Sequence, residues 1–335
     1  MKYLFELSKE HPALPKAELI SCLNAEGIKH KIVESNEDVL IIETQKNEDI
    51  SNILANRLSM SYFINEFFFS CKPSSDYIKK YASKNPISYN GSIAIKYKNR
   101  SENINSQEIV QSLADVYSSD RKVTLDKPDV EIRALITDDK VYVGVKKIEI
   151  NRSLFENRKV QNRPFFSPIS LHPRLARVLV NLSCVKKNQV LLDPFCGTGG
   201  ILLEAGLIGV KVIGSDIEDK MIVGSKKTLD FYNIDNYELY CTDIGKIKDF
   251  VNCVDVVVTD LPYGKSTTTK GESIVDLYER SFKNIYDVVK NNGRVVVGLS
   301  DKNMISVGEK YFASIGCYEF REHRSLTRYF IVFQK

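Results

Sequence analysis

The stretch QVLLDPFCGTGGILLEAGLIGVKVIGSD, Gln189 to Asp216, decides how this chain folds. QVLLD reads as a buried strand that ends in an acid. A loop carrying Gly197, Gly199 and Gly200 follows. GGILLEAGLIG then has the apolar spacing of a helix, and KVIGSD is a second strand that again ends in an acid. A strand, a tight loop, a packed helix and a second strand form a right-handed crossover between parallel strands.

The same alternation runs on to the end of the chain. PRLARVLVNLSCV precedes the stretch as a helix. EDKMIVGSKKTLDFYN is a helix and YELYCTD a strand. VDVVVTD is a strand, IVDLYERSFKNIYDVVKNN a helix and GRVVVGLS a strand. Only a few residues separate CYEFREHR from RYFIVFQK, so these last strands must pair antiparallel. The expectation is an α/β, Rossmann-like sheet with helices on both faces and an antiparallel closing hairpin.

In such a sheet ligands bind beyond the carboxyl ends of the strands, near the topological switch. Four successive strands end there in an acid: Asp193, Asp216, Asp243 and Asp260. Any one of them could simply cap a turn. Together they place four carboxylates on one crevice. The glycine loop exposes amides at a helix start, as in nucleotide sites. Its spacing is not GxGxxG, because Leu202 takes the third glycine position, and Asp193 would repel a pyrophosphate. Asp193, with Pro194 behind it, suits a cation or a zwitterionic amino acid. Asp216 lies where a ribose-binding acid belongs, about 20 residues on. Asp243 could accept from an adenine amine. An adenosine bearing an amino acid, S-adenosylmethionine, meets that description.

VVVTDLPYGKST, Val256 to Thr267, suits the methyl acceptor. An exocyclic amine on a base is conjugated and weakly nucleophilic. Acceptors aimed at both its N–H bonds favour the tetrahedral nitrogen that attacks. Asp260 offers one acceptor and the carbonyl of Leu261 a second, which Pro262 holds in direction. Tyr263 offers a flat face for the base.

The first 70 residues read β-α-β-β-α-β, the ferredoxin-like order. Residues 71–150 form another small α+β unit, closed by the hairpin VEIRALITDDKVYVGVKKIEI. Residues 151–171 lack a period and read as a linker, and residues 172–335 form the Rossmann-like domain. The linker holds two adjacent phenylalanines, Phe165 and Phe166, which suit either packing on the next domain or a place at a ligand.

DPFCGTGG followed by DLPYG resembles the class I S-adenosylmethionine-dependent methyltransferases that methylate amino groups. The match covers about residues 172–335, with leucine at 261 where the (D/N)PPY motif has proline. PDVEIRALITDDKVYVGVK is similar to the end of a THUMP domain, an RNA-binding module, and RPFFSPISLHPRLARVLVNLS to the linker of THUMP-linked methyltransferases. The whole order resembles the archaeal tRNA guanosine-10 dimethyltransferases. That resemblance implies a ferredoxin-like domain at 1–70 and a THUMP domain at 71–150. It implies transfer of methyl from S-adenosylmethionine to the N2 amine of a guanosine in tRNA. It places Asp193, Pro194, Cys196, Gly197, Thr198 and Gly199 at the methionine end and ribose, Asp216 and Ile217 at ribose and adenine, and Asp243 and Ile244 at adenine. Asp260, Leu261, Pro262 and Tyr263 fall at the target amine, and Phe166 at the reaction pocket. Relatives with the same motifs methylate another tRNA guanosine. An adenine or ribosomal RNA target, or an inactive RNA-binding protein, are the competing readings.

Composition is consistent with this. The chain has 335 residues, of which 43% are hydrophobic and 27% charged, as in soluble globular proteins. No apolar run is long enough to span a bilayer, and the N-terminus is too charged for a signal peptide, so a cytoplasmic protein is expected. The seven cysteines are odd in number and lack CxxC spacing, so no disulfide framework or metal site is expected. The net charge of +4 resides in one window holding Lys146, Lys147, Arg152, Arg158, Lys159 and Arg163. A basic belt of that kind suits tRNA phosphates, or else is a solvated linker. Neither a membrane nor DNA is expected as a partner.

Overall fold

The structure is a computed structural model that describes residues 1–45, 49–167, 170–263, 272–323 and 326–335. It divides into two compact units, one comprising residues 1–9, 29–55 and 61–151, the other residues 10–28, 56–60 and 152–335.

The first part of the chain runs β1 (Lys2–Leu7), α1 (Leu14–Ala25), β2 (His30–Ser35), β3 (Val39–Thr44), α2 (Ser51–Ala55), β4 (Ser61–Cys71), α3 (Ser75–Lys84), β5 (Ile93–Asn99), α4 (Ser106–Tyr117), β6 (Val130–Ile136) and β7 (Val141–Glu149). Its strands form one sheet in the order β2-β3-β1-β4-β7-β6-β5. The expected boundary at residue 70 falls inside β4. That strand is eleven residues long and pairs with β1 on one side and β7 on the other, so one ladder runs through both expected domains. The hairpin of β6 and β7 forms as read from the sequence. Helices α3 and α4 cover one face, where Ile78, Ile109 and Leu113 are buried with Ile132 and Val143.

Helix α1 belongs to the second unit, which the β-α-β-β-α-β pattern could not disclose. Leu14 of α1, and Met60 just before β4, are buried in the core of that unit. Glu18 of α1 carries the attachment. Its carboxylate accepts from the Ser59 amide at 3.0 Å, the Ser59 hydroxyl at 2.7 Å, the Met60 amide at 2.9 Å and Asn181 Nδ2 at 2.9 Å. A helical apolar period shows that a helix packs, but not on what.

The second unit continues with α5 (Ser153–Asn157), α6 (Pro173–Leu182), β8 (Val190–Asp193), α7 (Gly200–Gly206), β9 (Lys211–Asp216), α8 (Asp219–Phe231), β10 (Tyr237–Cys241), β11 (Val254–Asp260), α9 (Ile274–Val288), β12 (Val289–Leu299), α10 (Ile305–Glu309), β13 (Ala313–His323) and β14 (Leu326–Gln334). The sheet order is β10-β9-β8-β11-β12-β14-β13. The first five strands are parallel, and β14 runs antiparallel to both β12 and β13. Helix α9 ends at Val288, sooner than its period suggested, because the following residues, from Val289 on, enter β12 through an irregular register opposite Val254.

Both faces of this sheet are covered, so its central strands are apolar throughout. Val256 and Val258 of β11 pack with α6 and α7, while Val257 faces α9. The strand order reverses between β8 and β11. At that point two carboxyl ends splay apart and leave a crevice with an acid on each side.

Candidate active site

That crevice opens into a cavity of about 600 Å³ at the carboxyl ends of β8, β9 and β11. All four strand-terminal acids, Asp193, Asp216, Asp243 and Asp260, line it. A volume of this size suits a cofactor.

Asp193 is buried at the end of β8. Its Oδ1 accepts from the Thr259 hydroxyl at 2.7 Å and from the Phe195 amide at 3.2 Å. Burial pushes its carboxyl up to about 7, and the charges of Asp260 and Asp216 add to that shift. The Thr259 hydroxyl partly offsets it by favouring the ionised form.

The glycine loop turns sharply behind this acid. Gly197 and Gly199 both have positive φ, at 51° and 76°. Gly199 also lies close to α8, where an added Cβ would meet Ser225 Oγ at 3.0 Å. Ser225 ties the loop down by donating to the Gly197 carbonyl at 2.7 Å. The Gly197 amide donates to Asp216 Oδ2 at 3.0 Å, and the Glu218 amide donates to Asp216 Oδ1 at 2.9 Å. These bonds orient Asp216 across the loop and leave lone pairs for further donors. Burial raises its pKa. Thr198 and Ser170 share a hydroxyl–hydroxyl bond of 2.9 Å, which brings the linker to the loop.

Asp243 caps the 3-10 turn of Ile244–Asp249 by accepting from the Gly245 amide at 2.8 Å. Its carboxylate also pairs with Arg280 of α9, which in turn contacts Glu272 at 3.0 and 2.7 Å. Neither Arg280 nor Glu272 was evident from the motifs, yet both line the cavity.

Asp260 ends β11 between Tyr263 and Arg328. The Tyr263 hydroxyl bonds Asp260 Oδ1, and Arg328 Nη1 contacts both Asp260 Oδ2 and the Tyr263 hydroxyl. The Leu261 amide is fixed by the Gly298 carbonyl at 3.0 Å. The Leu261 side chain is buried with α9. The Tyr278 hydroxyl donates to the Pro262 carbonyl at 2.9 Å. Gly298 of β12 makes room for the acid, since a Cβ there would lie 2.2 Å from Asp260 Oδ1. The Arg328 guanidinium stands 5.0 Å from the centre of the Tyr263 ring. Gly264 to Thr267, the rest of the quoted stretch, lie outside the described residues.

The structure gives the residues of the basic belt partners within the protein. Its residues are divided between the two units. Lys146 is paired to Glu131 at 2.6 Å and Lys147 to Glu66 at 3.0 Å across the sheet. Arg152 pairs with Glu10. Arg158 binds Glu204 at 2.7 Å, and that carboxylate is buried and shared with Arg177 at 2.8 Å. Arg163 is buried against the glycine loop, where a Cβ on Gly200 would meet it at 3.1 Å. Arg158 and Arg163 thus hold the linker to the domain. Lys159, paired with Glu156, is half-buried.

Of the linker phenylalanines, Phe165 packs on α8, where Gly224 leaves space for its ring. Phe166 is 57% exposed and does not border the cavity. Ser167, Ser170 and Leu171 line it instead. Residue-type reasoning missed Thr259, Gly298 and Arg328. Thr259 could have been suspected from its place next to Asp260, but Arg328 lies 68 positions beyond it and only the β14 register brings it near.

The RMKL-like methyltransferase domain family matches residues 161–329, and a DNA methylase family matches residues 20–227. A tRNA (guanine(10)-N2)-dimethyltransferase of Methanothermobacter thermautotrophicus is 33% identical over 340 residues, covering the whole of both chains. A second tRNA (guanine(10)-N2)-dimethyltransferase, from Pyrococcus abyssi, is 38% identical over 65% of this chain and 66% of its own. The crystal structure of TrmN from Thermus thermophilus superposes with a TM-score of 0.58 at 18% identity over the whole of both chains, a likeness of fold. A methyltransferase sheet, a matched methyltransferase domain and an end-to-end relative agree: the chain belongs to the RMKL-like methyltransferases and, over its full length, to the tRNA (guanine(10)-N2)-dimethyltransferase family.

Proposed function

We propose that this protein transfers methyl groups from S-adenosylmethionine to the N2 amine of guanosine 10 in tRNA, first one and then a second. The observation that carries the reading is the pairing of two acids across the switch point. Asp193, on the cofactor side, is hydrogen-bonded to Thr259, the residue immediately before Asp260. One hydroxyl thus fixes the spacing between the two halves of the site.

Asp193 and the glycine loop, Pro194 to Gly199, hold the methionine end of the cofactor. Asp216 accepts from the ribose hydroxyls. Asp216, Asp243, Ile217 and Ile244 all border the cavity and frame the adenine. The cofactor, when bound, supplies an electrophilic methyl. Asp260 accepts one N–H of the target amine and the Leu261 carbonyl the other, which stabilises the nitrogen as it becomes tetrahedral. Asp260 holds the proton that the nitrogen sheds as the carbon–nitrogen bond forms. Most of the rate gain comes from alignment of amine and methyl. Tyr263 gives its ring to the base on the side away from Arg328.

The ferredoxin-like part read at 1–70 and the THUMP part read at 71–150 hold tRNA by shape and phosphates. A guanosine in a stem must be extruded to reach the cavity, at a cost of a few kcal/mol. A tRNA substrate places the work in the cytoplasm. No helix among the described residues is long and apolar enough to cross a membrane.

The test is nucleoside mass spectrometry of a defined tRNA transcript after incubation with the purified protein and S-adenosylmethionine. N2-methylguanosine followed by N2,N2-dimethylguanosine at position 10 is expected. Methyl found on adenine, on another guanosine or on duplex DNA would overturn the reading.

A further inference from the structure

Arg328 belongs to none of the motifs, yet it is one of the most enclosed cations of the second unit, 3% exposed. It sits on β14, the antiparallel strand that closes the sheet. Its Nη1 contacts Asp260 Oδ2 and the Tyr263 hydroxyl, and its Nε donates to Glu322 Oε2 at 2.5 Å. The same guanidinium lies against the Tyr263 ring. One side chain therefore touches both the acid and the aromatic of the DLPY segment. Burying a guanidinium is costly unless its donors are used. Here they converge on the two residues that face the acceptor.

We propose that Arg328 is a positioning residue for methyl transfer, locking Asp260 and Tyr263 into one rigid group and leaving the second lone pairs of the Asp260 carboxylate for the amine. The inference rests on the methyl-transfer reading above. It adds that the closing hairpin, remote in sequence from the cofactor loop, sets the geometry and charge of the acceptor side.

Arg328 acts on the charge of Asp260 in one direction. Burial raises the Asp260 pKa, and the Arg328 guanidinium, together with the Tyr263 hydroxyl, opposes that rise. Glu322 pushes the same way as burial. Asp193 on β8 and Tyr278 on α9 also face Asp260. Arg328 thus opposes the protonation that burial favours, which leaves the carboxylate better able to accept a hydrogen bond. Loss of the guanidinium moves the Asp260 pKa up, and loss of the Glu322 charge moves it down.

The experiment compares the wild type with R328M, R328K and E322Q in single-turnover methyl transfer to a tRNA transcript across pH. Cofactor affinity is read by calorimetry and stability by thermal melting. R328M is expected to lose about a hundredfold in rate, as when a preorganised donor is removed, with cofactor affinity within about threefold. The acid limb of its rate profile moves to higher pH. R328K restores part of the rate and moves the limb back, while E322Q moves it to lower pH. An E322Q limb that coincides with the wild type, or an undiminished rate in R328M, overturns the proposal. E322Q carries the test if R328M does not fold. The carboxyl shift of Asp260, titrated by NMR in the protein without substrate, tests the pair independently of the substrate. Altered Asp260 titration in E322Q beside a wild type that leaves tRNA unmethylated would support the pair and refute the function reading.

Discussion

Replacing Gly298 by alanine is the sharpest test of the acceptor geometry. The glycine lies on β12 directly beside the end of β11, paired in register with Asp260. A Cβ at 298 would stand 2.2 Å from Asp260 Oδ1, whereas ordinary contact begins at 3.4 Å. The clearance missing, 3.4 less 2.2, is about 1.2 Å. The strand cannot yield that distance, because the Gly298 carbonyl holds the Leu261 amide and the strand is paired on both sides. The carboxylate must move instead, away from Tyr263 or Arg328. A displacement of about 1 Å at a reacting group costs on the order of a hundredfold in rate. G298A is therefore expected to lower the single-turnover rate about a hundredfold while S-adenosylmethionine binds within about twofold of wild type, since the glycine loop is untouched. The rate is read by transfer of labelled methyl to a tRNA transcript, and the affinity by calorimetry. A G298A protein that melts like the wild type and turns over within threefold of it would refute the placement of Asp260 at the reacting amine.

Asp193 makes the cofactor side dependent on pH. Its native pKa of about 7 lies above the ordinary 3.8, so the native state holds this proton more tightly than the unfolded chain. This group's contribution to stability is then greatest at low pH and falls as pH rises from about 4 to about 7. A cationic amine bound beside it favours the carboxylate, so cofactor affinity should rise with pH through that range with proton release; T259V, lacking the hydroxyl donor, should move the midpoint higher. A flat affinity in both proteins, by calorimetry in two buffers, removes Asp193 from the cofactor amine. E18A strips the acceptor from several buried donors and should cost about 2–4 kcal/mol in urea unfolding; a loss below 0.5 kcal/mol contradicts the attachment of α1 described above. R158Q leaves Glu204 with Arg177 alone and should cost about 2–3 kcal/mol without changing the salt dependence of tRNA binding. A shallower salt slope in that variant would return Arg158 to the RNA surface.

Much of the second unit was legible because its strands are short apolar runs ending in acids and its helices keep a clear period. The glycine loop was legible for a different reason: positive φ at 197 and 199 restricts the residue type itself. The first unit was less so. Strand β4 reads the same whether it ends one sheet or continues it, and hydrophobic pattern says nothing about which strands share a ladder. The ion pairs of the basic window were not legible, because charge along a sequence carries no information on partners. Glu204, which binds Arg158, sits inside an apolar helix 46 positions away.

Local chemistry was thus written in the chain: four strand-end acids, a glycine turn and an acid–leucine–proline–tyrosine segment suffice to point to the one cavity they line. These depend on neighbours in sequence, within a turn or a strand. Packing settled the rest. Arg328 reaches Asp260 because β14 folds back antiparallel beside β12, Gly298 clears the carboxylate because β12 lies in register with β11, and α1 joins the second unit because Ser59, Met60 and Asn181 meet Glu18. Such contacts join residues tens to more than a hundred positions apart. No local pattern records them, since the free energy that selects them comes from burial and pairing summed over the whole folded unit.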